Sequence, residues 1–420
     1  MDKTVFYKYY LLLLVVLCTW ISTVSPPPML IRLAYLIALF VPAFVKAQYL
    51  IVPVMACFTS AATYGFSCSY MPTELYFYLG IMGVLVFFSF DKISYRQTPP
   101  LLLVFFCVYV LTIDLITGGK LENIDYSLLI IILSFFFISK DGRELDAYII
   151  NFVFVSIVLC IFFFTFGQTT IEASDDGRVE WKDPNYLGNV CGMGVVLAYN
   201  VIVNKLFTHK RVLYRICLLT IIAGVIMLVL NASRGAFLSM AISITIITLF
   251  SKIKFKTKVT VTSILVLGVI CMYALGLFDI LEERFISDDG TGNARTLIWA
   301  AKMNAFSSLS FTEKLFGLGY RGGFELAFPG GYGFHNDYMA FLVDYGFIGL
   351  FFFLALMLYP IVIVGKNTVN RPIVISLVVF FLICCFTLEP LTAGRLAYWL
   401  FYLFIVIFAR WSRYALRLKI

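Results

Sequence analysis

Long apolar runs, each ended by a short polar break, follow one another along most of the 420-residue chain. Runs of about 15 to 25 residues are long enough to cross the hydrocarbon core of a bilayer as helices. The breaks mark spans near 9–25, 29–45, 48–66, 75–90, 100–117, 126–139, 147–166, 185–203, 213–231, 235–250, 259–277, 336–364, 373–388 and 395–410. The pattern predicts an all-α polytopic membrane protein of about fourteen transmembrane helices, forming a single integral membrane domain over residues 1–420. Lys3 and Lys8 ahead of the apolar run from Tyr10 to Trp20 resemble a signal peptide. No small-x-small cleavage site follows, and Leu17 before Cys18 makes a poor lipoprotein signal, so this run is expected to be retained as the first helix.

Composition supports the same class. Hydrophobic residues make up 61% of the chain and charged residues 13%, with a mean hydropathy of +0.95, far from a soluble globular protein. Most of the ten cysteines, among them Cys107, Cys160, Cys217, Cys384 and Cys385, sit inside apolar runs without ligand spacing. They read as small buried hydrophobes. The net charge of +8 is not gathered on a soluble domain and implies no nucleic-acid partner.

The basic residues instead report orientation. With the N-terminus on the cytoplasmic side, the cytoplasmic turns collect 21 of the 32 lysines and arginines and five acids, leaving 11 basic against 19 acidic elsewhere. That asymmetry fits the positive-inside rule with both termini cytoplasmic. Two substantial segments then face outward, the acidic stretch 167–184 and the loop 278–335. A loop that long is expected to carry structure of its own. Asn293 to Phe306 reads as a helix with Arg295, Trp299, Lys302 and Phe306 on one face, a stripe that suits the membrane–water interface. Gly188-x-x-x-Gly192 predicts a close helix–helix contact.

The outward loop concentrates the groups able to do chemistry. His335, one of two histidines, follows the glycine-rich Pro329–Gly333 and opens a membrane helix. The positive end of a helix disfavours imidazolium, so a neutral imidazole there can serve as a general base near neutral pH. The alternative is an interfacial histidine that only hydrogen-bonds. His209 lies among cytoplasmic lysines and reads as a bystander. Arg234, in the tight turn Asn231–Gly235, either snorkels or offers its guanidinium fork to a phosphate. Arg178, Arg295 and Arg321 lie on the same side, and together they suit a polyanionic headgroup the size of a diphosphate. Asp288-Asp289 and Asp175-Asp176 lack a third ligand and read as solvated loops, so no metal or cofactor is expected. Asp114 and Arg32 read as membrane-edge residues.

Four short motifs, in order over residues 178–350, resemble the bacterial O-antigen polymerase and O-antigen ligase superfamily. Asp183-Pro184-Asn185-Tyr186-Leu187-Gly188 resembles its N-x-L-G helix entry, and Ser233-Arg234-Gly235-Ala236-Phe237-Leu238 its S-R-x-x-x-L turn. Arg295 to Trp299 followed by Phe316-Gly317-Leu318-Gly319-Tyr320 resembles its R-x-x-x-W and F-G-x-G run. His335-Asn336 with Gly346-Phe347-Ile348-Gly349-Leu350 resembles its H-N and G-x-x-G-L signature. The resemblance implies an inner-membrane glycosyltransferase, independent of metal, acting on undecaprenyl-diphosphate-linked oligosaccharide at the periplasmic face. By position, His335 would deprotonate the acceptor hydroxyl, while Arg234, Arg295 and Arg321 would hold the diphosphate, with Arg178, Tyr320 and Asn336 also in the binding site. Membrane lipids are the other expected partner, and a regulator of chain length fits the class. Two sizeable outward loops favour polymerase over ligase. A flippase or other transporter would place charge near the midplane, whereas these spans are nearly free of it.

Overall fold

The computed structural model describes residues 72–88, 96–140, 145–169, 179–180, 184–204, 211–252, 254–274, 276, 295–328, 331–366 and 370–415, with the isolated Leu13 and Val16. The first three expected spans otherwise lie outside these residues, as do Arg32, Arg178, His209 and both aspartate pairs. The remaining expected spans each coincide with a described helix. These are α1 (Pro72–Phe88), α2 (Leu101–Gly118), α3 (Asn123–Phe135), α4 (Leu145–Phe166), α5 (Pro184–Val203), α6 (Arg211–Leu230) and α7 (Arg234–Phe250). They continue with α8 (Phe255–Ala274), then α9 (Arg295–Ser307) and α10 (Phe311–Phe316) within the outward loop, and then α11 (Asp337–Ile363), α12 (Arg371–Thr387) and α13 (Leu396–Ala415). Four of them, α2, α5, α6 and α11, are long and apolar enough to cross a membrane, and several others are shorter apolar helices. The described residues are thus almost wholly helical, and their apolar helices make the chain a multi-pass membrane protein. Among the described residues, the strands are β1 (Gln168–Thr169) and β2 (Val179–Glu180), antiparallel, with Gln168 opposite Glu180.

Helix α3 starts earlier than its apolar run. The reason is a cap: Glu122 N–H donates to the Asp125 side chain at 2.8 Å, which opens the helix ahead of its first long apolar stretch.

Helix α5 is buried along nearly its whole length, and its small residues explain why. Gly188 lies against Ser233 and Ala236 of the α7 entry, Gly192 against Phe380 of α12, and Gly194 against Ser156 of α4. The expected close contact at Gly188-x-x-x-Gly192 is therefore made, with two partner helices rather than one. The same core continues into α2, α11 and α13 through aromatic rings. Phe341 and Phe353 stack at 4.5 Å, and Phe106 packs on both Phe341 and Trp399. On α11 the exposed residues Phe347, Phe351, Leu354, Leu358 and Val362 recur at helical spacing and form an apolar outer face.

Helix ends that the charge pattern assigns to the outer side meet at one end of the bundle. There Tyr320 N–H reaches Asp114 near the end of α2, and Asn231 reaches Pro184 at the start of α5. At the opposite end Arg410 donates to Gln97 and Thr98, and Trp411 donates to Ser139.

Candidate functional site

The site end is assembled from four segments. The first is the turn between α6 and α7. Asn231 Nδ2 donates to Pro184 O at 2.6 Å, and Ser233 Oγ donates to Asn185 Oδ1 at 3.5 Å. Two motifs far apart in sequence, the Asn185 entry and the Ser233-Arg234 turn, therefore sit side by side. Arg234 is half-buried as the first residue of α7.

The second segment is α9. Its stripe of Arg295, Trp299, Lys302 and Phe306 turns toward the protein. Arg295 donates to Thr387 O at 3.1 Å, and Trp299 Nε1 donates to Phe334 O at 2.7 Å. Lys302 is fully buried, donates to Gly323 O and, at 3.1 Å, to Phe324 O, and stands 4.4 Å over the Phe334 ring. Phe306 is buried against Phe347. The face expected at the membrane–water interface is thus spent on docking the loop. Its exposed side carries Leu297.

The third segment, residues 311–324, docks on a break in α11. At Gly346 the backbone leaves helical geometry. A break removes the following N–H groups from their usual acceptors, so the Val343 and Asp344 carbonyls are left to accept from Leu318 and Gly319 at 3.1 and 2.7 Å. The buried Asp344 carboxylate accepts Gly323 N–H at 2.8 Å and Arg321 N–H at 3.1 Å. Asp114, expected merely at a membrane edge, is buried and accepts both Tyr320 N–H at 2.8 Å and Tyr345 OH at 3.0 Å. Two carboxylates thereby fix the backbone on either side of Arg321. Arg321 itself is exposed, in the left-handed region at φ 57°, with its guanidinium beside the Tyr320 and Phe324 rings. Burial pushes the Tyr320 phenol up to about 12, against the nearby Arg321 charge.

The fourth segment, Leu388–Arg395, links α12 to α13. Asp337 N–H donates to Leu388 O, and the buried Asp337 carboxylate accepts Leu391 N–H, Thr392 N–H and, at 2.8 Å, Thr392 Oγ1. Glu389 Oε2 accepts Phe334 N–H at 2.9 Å. The Arg395 guanidinium lies 3.6 Å over the Tyr186 ring, next to the Asn185 entry.

His335 stands where these segments converge. Its side chain is exposed and its φ is 50°. Beside it, Asn336 is buried and caps α11, its side-chain oxygen accepting Tyr338 and Met339 N–H. Next to His335 lies a cavity of about 20 Å³, room for roughly one water, lined in part by Arg321, Gly333, Asp344, Glu389 and Thr392. Removal from solvent raises the Glu389 carboxyl above its ordinary range; Phe334 N–H, the Arg321 and Lys302 charges and His335 N–H oppose that rise. Burial lowers the Lys302 ammonium, partly offset by Glu389 and Asp344.

Thr387 links the start of α7 to α9: Gly235, next to Arg234, packs on its side chain, and Arg295 donates to its carbonyl. Thr387 is two residues from Glu389, which holds the Phe334 backbone beside His335 and interacts with the Arg321 charge. The end of the bundle thus combines one exposed imidazole with several guanidinium groups, a set suited to an anionic substrate and a hydroxyl proton. Asp344, Asp337, Glu389 and Arg395 were not singled out by sequence. A signal for the last two was present, because Leu388–Arg395 places an acid, a proline and an arginine between two charge-free apolar runs.

Residues 219–354 match the family model described as O-antigen ligase. The match spans α6 to α11 and contains Arg234, Arg295, Tyr320, Arg321, His335 and Asn336. The match supports the resemblance to the O-antigen polymerase and ligase superfamily, whose members are glycosyltransferase-like enzymes. No curated protein matches the chain.

Proposed function

We propose that this protein is a surface-polysaccharide polymerase. It joins undecaprenyl-diphosphate-linked repeat units at the periplasmic face of the bacterial inner membrane, with both termini in the cytoplasm. The observation that carries the reading is the convergence of His335, Arg321, Arg295 and Arg234 on one end of the bundle, inside the stretch that matches the family model.

In this reading the acceptor hydroxyl loses its proton to the exposed His335 imidazole as its oxygen attacks the anomeric carbon of the donor. The bond from that carbon to the diphosphate oxygen breaks, and the diphosphate leaves with the bonding pair. Arginines stabilise the charge that develops on it. Arg234, Arg295 and Arg321 hold the diphosphate, with Arg178 as a further contact from the segment 167–184. Tyr320, beside the Arg321 guanidinium, lines the same binding site. The chain's own residues supply the base and the positive charge.

The description of the matched family, O-antigen ligase, favours a second reading, in which the acceptor is lipid A core. Purified protein in liposomes separates the two. A polymerase given lipid-linked repeat units alone produces a ladder of lipid-linked oligomers. A ligase leaves those units unchanged until lipid A core is added. Transport of lipid-linked units across the liposome membrane with no new glycosidic bond under either condition would sink both.

A further inference from the structure

Among the groups at the site end, Glu389 has no place in the chemistry just described, yet its carboxylate binds the chain directly beside His335. Its Oε2 accepts Phe334 N–H at 2.9 Å, and His335 N–H also acts on the same carboxylate. The approach is close enough that a side chain at Gly333 would collide with Oε1. Three successive residues, Gly333, Phe334 and His335, thus pass over one carboxylate.

The backbone there is not in a common conformation. His335 takes φ 50°, in the left-handed region that non-glycine residues enter at a cost and keep when their surroundings over-determine them. The surroundings are explicit. Phe334 is held through its N–H by Glu389 and through its carbonyl by Trp299 Nε1 at 2.7 Å, and its ring is buried under the Lys302 ammonium. Asn336 is held as the cap of α11. Between these two fixed residues the left-handed turn points the His335 side chain outward, where it is exposed. Glu389 is itself immobilised, because its neighbours Leu388, Leu391 and Thr392 are bound by Asp337, the first residue of α11.

We infer that Glu389 is a positioning residue: its carboxylate pins the Phe334–His335 backbone in the left-handed turn and so aims the His335 imidazole at the acceptor. The inference rests on the reading of His335 as the proton acceptor. Glu389 is not a second base, since its oxygens face the backbone N–H groups of the loop. An exposed histidine on a glycine-rich turn would otherwise sample many directions, and catalysis by a general base depends on its being held within reach of the proton.

The test pairs a structural readout with an activity readout on the full-length protein in lipid nanodiscs. Hydrogen–deuterium exchange is followed over the segment 331–338, and glycan transfer is measured with the acceptor varied. In Glu389→Ala, exchange of this segment should rise at least tenfold while the interior of α11 stays protected. The kcat should fall at least tenfold with little change in KM. Glu389→Gln keeps one acceptor oxygen and should be intermediate in both. If Glu389→Ala does not assemble, Glu389→Asp, one methylene too short to reach both N–H groups, carries the same comparison. Unchanged exchange in the variant would overturn the clamp. Raised exchange with undiminished kcat would overturn its role in positioning. Failure of the underlying reading looks different: His335→Ala would keep full transfer, whatever the Glu389 variants do to exchange.

Discussion

Gly317 and Gly346 let two backbone segments press together: a Cβ on Gly317 would strike the Asp344 carbonyl, and one on Gly346 would strike the Leu315 carbonyl. Both residues also occupy a region of backbone space essentially reserved for glycine, with φ/ψ of 88°/−177° and 67°/−172°. This contact seats the loop on the break in α11. Either residue changed to alanine should cost about 1–3 kcal/mol from the backbone conformation alone, with the collision added. Limited proteolysis within 311–324 should accelerate in both variants. Wild-type resistance in either would show that the loop is held elsewhere.

Lys302→Met tests the buried cation. The substitution keeps most of the side-chain volume but leaves the Gly323 and Phe324 carbonyls without their donor. A hydrogen bond from a charged group contributes about 1.5–3 kcal/mol, so thermal stability in detergent should drop by an amount of that order. A variant as stable as wild type would mean that water replaces the ammonium at no cost.

For Arg295, the expectation separates charge from geometry. Arg295→Lys keeps the charge and loses the planar fork, so the KM for the lipid-linked donor should rise several-fold while kcat changes less. Arg234→Lys should behave alike, since Gly235 beside it packs on Thr387, whose carbonyl Arg295 binds. An unchanged donor KM in both variants would remove the diphosphate role from this pair.

The raised Glu389 carboxyl makes stability depend on pH with a definite sign. A raised value means that the folded state holds the proton more tightly than the unfolded chain does, whose ordinary value is 4.5. Stability contributed by this group is present below about pH 4.5 and is lost as pH rises through the folded value. Glu389→Gln should flatten that slope in thermal unfolding measured from pH about 4.5 into the neutral range. An identical slope in the variant would place the titration on another group.

Much of this architecture is legible in the sequence because apolar runs and basic turns obey strong rules. The helices from α1 onward follow the hydrophobic pattern, and the ends that carry few lysines and arginines do gather at one end of the bundle. The short motifs singled out His335, Arg234 and Arg295 as candidates, and the charge pattern singled out Arg321, without any knowledge of contacts. What escaped is the support beneath them. Asp114 and Asp344 lie inside apolar spans, and nothing local reveals that their carboxylates will bind the loop backbone of Tyr320, Arg321 and Gly323. Periodicity placed Lys302 and Phe306 on one face of α9, yet it does not say whether such a face meets lipid or protein. Glu389 is a lone acid in a short turn, and its meaning depends on Phe334, 55 residues earlier.

The central claim is that His335 takes the acceptor proton, and the direct test is the polysaccharide profile of a null strain carrying wild type or His335→Ala at equal membrane abundance. The account predicts that wild type restores a ladder, whereas His335→Ala leaves lipid A core capped with a single repeat unit. A full ladder from His335→Ala would contradict it and remove the imidazole from the mechanism.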